Sequence, residues 1–318
     1  MNEFEIIHKY FSKLHHNKSS LNLNDDVFFD KKNKLVLSVD TYVEKVHFLN
    51  FKKPELVIRK IIRSSISDIV CKGVNPKFIF ICASGNSKHF SKKNLKKIYN
   101  SIKKEQSIYK ILIGGGDTVK SNNLTFSITS LGYSDKIVFR NKSNVNDDIY
   151  VTGNLGDSYM GLCSLQNKLK TSNLINNYFQ NKYYTPDIQL KLTKKLSIFA
   201  SSSIDISDGL FTDLDKLINK QNHSYKVFLN KVPISKTLNS YIKLKKLKKI
   251  DLISKGDDYQ ILFTSPKSKR KIINNFSINN KIRITKIGTI VNGKDRSVIL
   301  ADSGLQIFPN NKGYFHNF

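Results

Sequence analysis

An α/β (α+β) architecture in two domains is what this sequence predicts, on three observations. Its 318 residues are enough for one large or two medium domains with a real core. Short β-rich runs alternate with stretches whose apolar residues recur at helical spacing. A polar segment over 134–147 with no long periodic element interrupts that alternation, so the expected domains are 1–136 and 137–318. Hydrophobic residues make up 39% of the chain while Gly and Pro number only 15 and 6, which excludes disordered and collagenous classes.

Taken in order, Phe4, Ile7, Tyr10, Phe11 and Leu14 predict an amphipathic opening helix over 3–14. Leu35–Val39, Phe78–Cys82 and Tyr109–Ile113 have the composition of buried strands. Pro54 suits the first turn of a helix reaching about Cys71, with Gly73 in the usual stop position, and Asn94 to about Gln106 is a second, lysine-rich helix. From Leu124 to Tyr133 the pattern alternates, as in a strand exposed on one face. Beyond the break, Asp148–Thr152 is a strand entering Gly153-Asn154-Leu155-Gly156-Asp157 and a helix. Helices near 156–166, 188–199, 208–221 and 266–275 then alternate with strands near 203–206, 225–229, 259–264 and 282–290.

Lys and Arg total 53 against 25 Asp and Glu, a formal charge of +28. That charge fits a lysine-rich solvated surface, or a polyanion partner such as nucleic acid. The lysines are dispersed, with local runs only at 243–249 and 267–271, which favours the first reading and makes a nucleic-acid partner the alternative. Cys71, Cys82 and Cys163 are widely spaced with no CxxC, so neither a disulfide framework nor a zinc site is signalled and a reduced, cytoplasmic setting is expected. No basic leader with an apolar core and no run of about 18 apolar residues is present, so no membrane partner is expected.

Of the acids only five are Glu, none after Glu105, and many Asp sit beside Gly, Ser or Thr: Asp25-Asp26, Ser38-Val39-Asp40-Thr41, Ser67-Asp68, Gly114-Gly115-Gly116-Asp117-Thr118, Asp205-Ile206-Ser207-Asp208-Gly209 and Gly256-Asp257-Asp258. Asp40, Asp117 and Asp205 close or follow apolar runs, so their carboxylates are candidates to converge on one rim. Converging carboxylates require cations, and hard oxygen ligands suit Mg²⁺ rather than zinc. Each cluster also has a plainer explanation. Ser207 or Asp208 could cap a helix, Asp25-Asp26 could form a solvated turn, and His47 could be structural. Asp68, beside the apolar stripe of Ile58, Ile61, Ile62 and Ile69, is either exposed or partnered. The glycines at 114–116 fit a strand-to-loop turn or a phosphate-approach loop, and Gly153-x-x-Gly156-Asp157 a weak phosphate nest.

In this order the clusters resemble the thiamine-monophosphate kinase family, within the ATP-dependent superfamily that also holds aminoimidazole-ribonucleotide synthetase and selenophosphate synthetase. The motifs are Asn24-Asp25-Asp26, Ser38-Val39-Asp40-Thr41 with His47-Phe48, Ser65-Ile66-Ser67-Asp68 with Gly73-Val74-Asn75-Pro76, Gly115-Gly116-Asp117-Thr118, Arg140, Val151–Asp157, Ile204–Leu210 and Ser254–Tyr259. The resemblance implies a two-domain ATP-dependent synthetase-like fold whose N-terminal mixed sheet dimerises. It implies Mg²⁺ ligands at Asp26, Ser38, Val39 (by its carbonyl), Asp40, Asp68, Asp117, Asp205 and Asp208. ATP contacts would come from Gly116, Asp117, Arg140 and Ser207, and thiamine-phosphate contacts from His47, Asp257 and, through Gly313-Tyr314-Phe315-His316, Tyr314. Asp117, Asp208 and Arg140 would carry the phosphoryl transfer.

Three positions depart from the family pattern: Asn24 stands for Gly, Val39 lacks a hydroxyl, and Asp257 is one methylene shorter than the expected Glu. Selenophosphate synthetases resemble the chain less, because their reactive Cys or selenocysteine lies near the amino terminus and the first Cys here is Cys71. The hydrogenase-maturation relative ends in a functional Cys, whereas this chain ends at Phe318. Aminoimidazole-ribonucleotide synthetase remains the nearest alternative.

Overall fold

The computed structural model describes residues 1, 3–14 and 16–314. The chain opens with α1 (Glu3–Ile6), which continues as a π-helical turn over Ile7–Phe11. Strands β1 (Phe28–Asp30) and β2 (Leu35–Val43) follow as a hairpin. Helix α2 (Pro54–Cys71) spans the predicted limits: Pro54 sits where its missing N–H would have no partner, and Gly73, with φ of 80°, turns the chain away at the other end. Strand β3 (Pro76–Gly85), helix α3 (Lys92–Tyr109), β4 (Leu112–Lys120) and β5 (Thr125–Tyr133) complete the first half.

Tyr109 ends α3 rather than starting a strand. Lys110 takes the left-handed conformation at φ 56°, and β4 begins two residues later. The glycine run 114–116 is therefore neither turn nor loop but the middle of β4.

The five strands form a mixed sheet in the order β1-β2-β5-β3-β4, with only β3–β4 parallel. One face packs its Tyr42, Ile79, Phe126 and Ile128 under Val57, Ile58, Ile61 and Ile62 of α2. The opposite face presents Val39 at 60% exposure, Phe80 at 36% and Tyr133 at 57%. Every residue of β4 is exposed, and it lies at the sheet edge.

The second half begins at β6 (Asp148–Thr152), buried throughout, and continues with α4 (Asp157–Leu165), α5 (Asn173–Tyr184), α6 (Leu196–Phe199), β7 (Ser202–Asp205), α7 (Leu210–Leu217), β8 (His223–Phe228), α8 (Lys236–Lys245), α9 (Lys249–Ile253), β9 (Ile261–Ser265), α10 (Arg270–Asn280), β10 (Ile284–Asn292), β11 (Val298–Leu300) and β12 (Gln306–Ile307). Its seven strands run β12-β11-β8-β10-β6-β9-β7. The stretch expected as one helix over 188–199 is a 3₁₀ turn, Leu190–Lys194, followed by α6. Helix α5 is absent from the sequence reading because its Asn-rich surface hides a stripe of Phe179, Tyr183 and Tyr184, which is buried. No helix among the described residues is long and apolar enough to cross a membrane.

Candidate active site

Helix α2 and strand β2 face each other on the packed side of the first sheet, and their polar residues meet there. Ser38 Oγ donates to Asp68 Oδ2, and Tyr42 OH donates to Asp40 Oδ2 at 3.0 Å. From the second sheet, Asp205 at the end of β7 accepts from Ser67 Oγ at 2.8 Å. Asp26, in the loop before β1, completes the group: one oxygen each of Asp26, Asp68 and Asp205 lies within 4.8 Å of the others.

Burial holds Asp40, Asp68 and Asp205 above the ordinary value of 3.8, reinforced at Asp68 and Asp205 by neighbouring acids. Asp40 is pushed up to about 6, Asp205 to about 7, and Asp68 well above the usual range. Asp213, buried on α7, is likewise raised to about 6 by burial. Such acids bind a proton more tightly folded than unfolded, so stability falls as pH rises from their unfolded values toward their folded ones. Asp148, held low by Arg270 and Lys286 against its burial, acts below that window. Without divalent cations, the urea midpoint should therefore drop between about pH 5 and about pH 7.5, and Asp205→Asn should flatten the drop. A midpoint that climbs over this range contradicts the assignment.

Cations press in from the other side. Lys72, wholly buried just past α2, places its ammonium 2.7 Å from Asp25 Oδ1, 2.5 Å from Asp26 Oδ2 and 2.7 Å from the Ser203 carbonyl. The Arg140 guanidinium pairs with Asp26 Oδ1, and the Arg140 backbone N–H donates to Asp25 Oδ2 at 3.0 Å. Arg140 Nε is buried without a hydrogen-bond partner among the described residues. Lys216 of α7 pairs with Asp208 and lies 3.2 Å from Asp213. Beyond Asp25 and Arg140 opens a cleft of 1180 Å³ whose lining includes Lys18, Lys142, Lys216 and Lys220.

At the other end, two loops are locked together. Asp257 N–H donates to Ser207 O at 2.7 Å and Tyr259 N–H to Ile206 O at 2.8 Å. Only glycine fits at the crossing: a Cβ on Gly209 (φ 128°) would meet Ser254 O at 2.2 Å, and one on Gly256 (φ 77°) would meet Ser207 O at the same distance. Asp257 pairs at 2.5 Å with Lys60 of α2, a 1%-exposed ammonium lying 4.0 Å from the centre of the Tyr183 ring. Burial pushes the Lys60 pKa down, against the pull of Asp257. Tyr183 OH donates to the His47 carbonyl at 3.2 Å, and the His47 ring stands edge-on to Tyr42 at 5.8 Å. His47 and Asp257, expected at the thiamine end, thus share the Lys60–Tyr183 neighbourhood.

The predicted residues divide as follows. Asp26, Ser38, Asp40, Asp68 and Asp205 come together, with Val39 beside them on β2 and Arg140 and Asp208 at the cleft side. Tyr314 is tied by its N–H to Asp208 O at 2.9 Å, while Phe315 and His316 lie outside the described residues. Gly116 and Asp117 are not brought in within one chain. Register pairs Asp117 with Cys82, Cys82 with Ser127 and Ser127 with Thr41, which puts Asp117 on the open face, three strand spacings or about 14 Å from β2. Asp40 is also mid-strand, so the convergence does not come from strand ends in a parallel sheet; it comes from α2 crossing between two largely antiparallel sheets. The loop Gly153–Asp157 is no phosphate nest: Gly156 N–H donates to Asp258 Oδ2 at 2.8 Å, and Asp157 accepts from Ser235 and Tyr178. Lys60, Lys72, Asp213 and Lys216 escaped the sequence reading, since lysine is everywhere in this chain and nothing local marks a buried one.

A thiamine-monophosphate kinase of Buchnera aphidicola subsp. Acyrthosiphon pisum is 33% identical over 326 residues, covering 99% of this chain and 98% of that protein. The chain belongs to the thiamine-monophosphate kinase family. The family's enzyme from Bacillus subtilis is 28% identical over 327 residues, with 99% of each chain covered. Residues 24–134 match the family model described as AIR synthase related protein, N-terminal domain. Among solved structures, AaThiL complexed with AMPPCP and TMP superposes with a TM-score of 0.85 at 27% identity, covering 99% of this chain and 97% of that one. A chain of the HypE-HypF complex, at 16% identity and a TM-score of 0.75, shares the two-domain α/β fold.

Proposed function

We propose that this chain transfers the γ-phosphoryl group of ATP directly to thiamine monophosphate, giving ADP and thiamine diphosphate. The observation that carries this reading is the buried meeting of Asp26, Asp68 and Asp205 between a lysine-lined cleft and the His47–Asp257 end. The donor set fits Mg²⁺, being carboxylate, hydroxyl and carbonyl oxygens, and Arg140 Nε, buried without a partner among the described residues, leaves an N–H donor for a phosphate oxygen beside it. Asp26, Ser38, Val39 O, Asp40, Asp68, Asp205 and Asp208 are the residues we assign to hold it. Bound there, Mg²⁺ neutralises and aligns the oxygens of donor and acceptor phosphates.

The chain's own groups supply the rest. The acceptor phosphate has a second pKa of about 6 and is ionised near neutral pH, so no general base is needed. Repulsion between the phosphates is the obstacle: two unit charges about 4 Å apart cost about 4 kcal/mol at an effective dielectric of about 20. Arg140 and Lys216 bring fixed positive charge to the cleft side, while Lys60 holds Asp257 for the thiamine end. We place the division between domains at 136/137, in the polar segment between β5 and β6, and the reaction in the cytoplasm, where Cys71, Cys82 and Cys163 remain free thiols.

A homodimer accounts for the open face of the first sheet. Val39, Phe80, Leu112 and Tyr133 form an apolar surface continuous with the Gly116–Asp117 edge, and pairing through it would offer Asp117 and Gly116 to a nucleotide at the subunit boundary. Incubation with ATP, Mg²⁺ and thiamine monophosphate, with the product identified by mass, tests the reaction; no thiamine diphosphate there, with aminoimidazole ribonucleotide formed when its open-chain ribonucleotide precursor is supplied instead, would replace it. Asp117→Asn should lower kcat about 100-fold while leaving the melting temperature unchanged, and a full rate would remove Asp117 from the site. Inversion at the γ-phosphorus is expected with a chiral phosphate, because retention requires two displacements. Nucleic-acid binding that survives moderate salt would favour the polyanion alternative.

A further inference from the structure

Lys72 is an unusual residue to find here. It is the first position past α2, where the negative end of the helix dipole and the Asp25–Asp26 pair both favour a cation. Its side chain is completely buried, yet all three ammonium donors are used: Asp25 Oδ1 at 2.7 Å, Asp26 Oδ2 at 2.5 Å and Ser203 O at 2.7 Å. Asp26 also gives its other oxygen to Arg140, so both oxygens of a carboxylate in the three-acid cluster are already engaged by protein cations. Asp25, by contrast, is held among the described residues by Lys72, the Arg140 N–H and its own neighbour, the Asp26 N–H.

On the reading of this cluster as a divalent-cation site, we propose that the Lys72 ammonium takes the place of one metal ion, neutralising Asp25 and Asp26 permanently so that the chain assembles its site with one fewer divalent cation than its carboxylates could hold. The physical ground is charge and coordination together. Among the described residues, five buried or half-buried acids, Asp25, Asp26, Asp40, Asp68 and Asp205, face two cationic side chains, Lys72 and Arg140. Removing one of those charges leaves two adjacent carboxylates in low dielectric with room for a hard cation where the ammonium stood.

The test counts metal rather than turnover. Mn²⁺, a spectroscopic substitute for Mg²⁺, is titrated into the full chain without nucleotide, and the free ion is read by electron paramagnetic resonance. Lys72→Met is expected to bind one Mn²⁺ more per chain than wild type, or to bind its first Mn²⁺ at least tenfold more tightly. Its melting temperature should lie below wild type in chelator and approach it when Mn²⁺ is saturating. Lys72→Gln, which keeps a donor for Ser203 O without the charge, should behave like Lys72→Met and serves where the methionine form is poorly recovered. Equal Mn²⁺ number and affinity, with a melting gap that Mn²⁺ does not narrow, would overturn the proposal. So would failure of both variants to fold even with Mn²⁺ present throughout refolding, since the ion would then be unable to replace the ammonium. Absence of Mn²⁺ binding to wild type would sink the metal reading of the whole cluster, and this inference with it; normal wild-type binding with unchanged variants sinks this inference alone.

Discussion

Asp68→Asn should lower kcat/KM for thiamine monophosphate by about three orders of magnitude, about 4 kcal/mol of transition-state stabilisation, while making the cation-free protein more stable. The two effects have one cause. Asp68 is a half-buried carboxyl pressed by Asp40 and Asp205, and burial with those like charges holds its pKa well above the usual range. An amide of the same shape still accepts from Ser38 Oγ, so the α2–β2 contact survives and the electrostatic strain of the apo site is relieved. What is lost is an anionic group at the centre of the cluster, the one proposed to bind metal. Steady-state kinetics beside urea unfolding in chelator measure both halves; a variant within tenfold of wild-type activity would remove Asp68 from the metal site. Loss of activity with loss of stability would make it a structural residue.

The second large effect is expected far from any carboxylate. Phe80 lies on the open face of the first sheet, 36% exposed, leaning over Gly114 of β4. Phe80→Glu leaves the carboxylate solvated in a single chain, so folding should be little affected. In a face-to-face dimer the same charge is buried unpaired, at a cost of several kcal/mol. On the proposed dimer, size-exclusion with light scattering should show the mass halve, and kcat/KM should fall about 100-fold if Asp117 and Gly116 act from the subunit boundary. A variant that stays dimeric at full rate would show that this face is not the interface.

Much of the molecule was legible in the order of its residues. Helix α2 could be read at both ends, because Pro54 and Gly73 each have one comfortable place relative to a helix, and β5 because its alternation reflects one packed and one open face. The short acidic clusters were readable because acids are scarce among so many lysines. The lysines that matter were not. Lys60 and Lys72 differ from their many exposed counterparts only in what the fold brings opposite them, Asp257 from 197 positions away and Asp25–Asp26 from before the first strand. Asp117 failed to join its companions for a similar reason. Its strand lies at the far edge of the sheet, and strand order is decided by non-local pairing.

Helix α2 touches the second domain from one side at two levels: Lys60 reaches Asp257, and Ser67 reaches Asp205. Seven residues separate them, two turns, so these anchor points are about 10.5 Å apart along a single rigid rod. The gap between the Lys60–Asp257 pair and the Ser67–Asp205 pair, the ends proposed for thiamine and for metal, is therefore gauged by helix pitch. If those ends hold the two halves of the acceptor as proposed, a phosphate on a longer or shorter tether would miss one anchor while keeping the other, and the helix would act as a yardstick among phosphorylated alcohols.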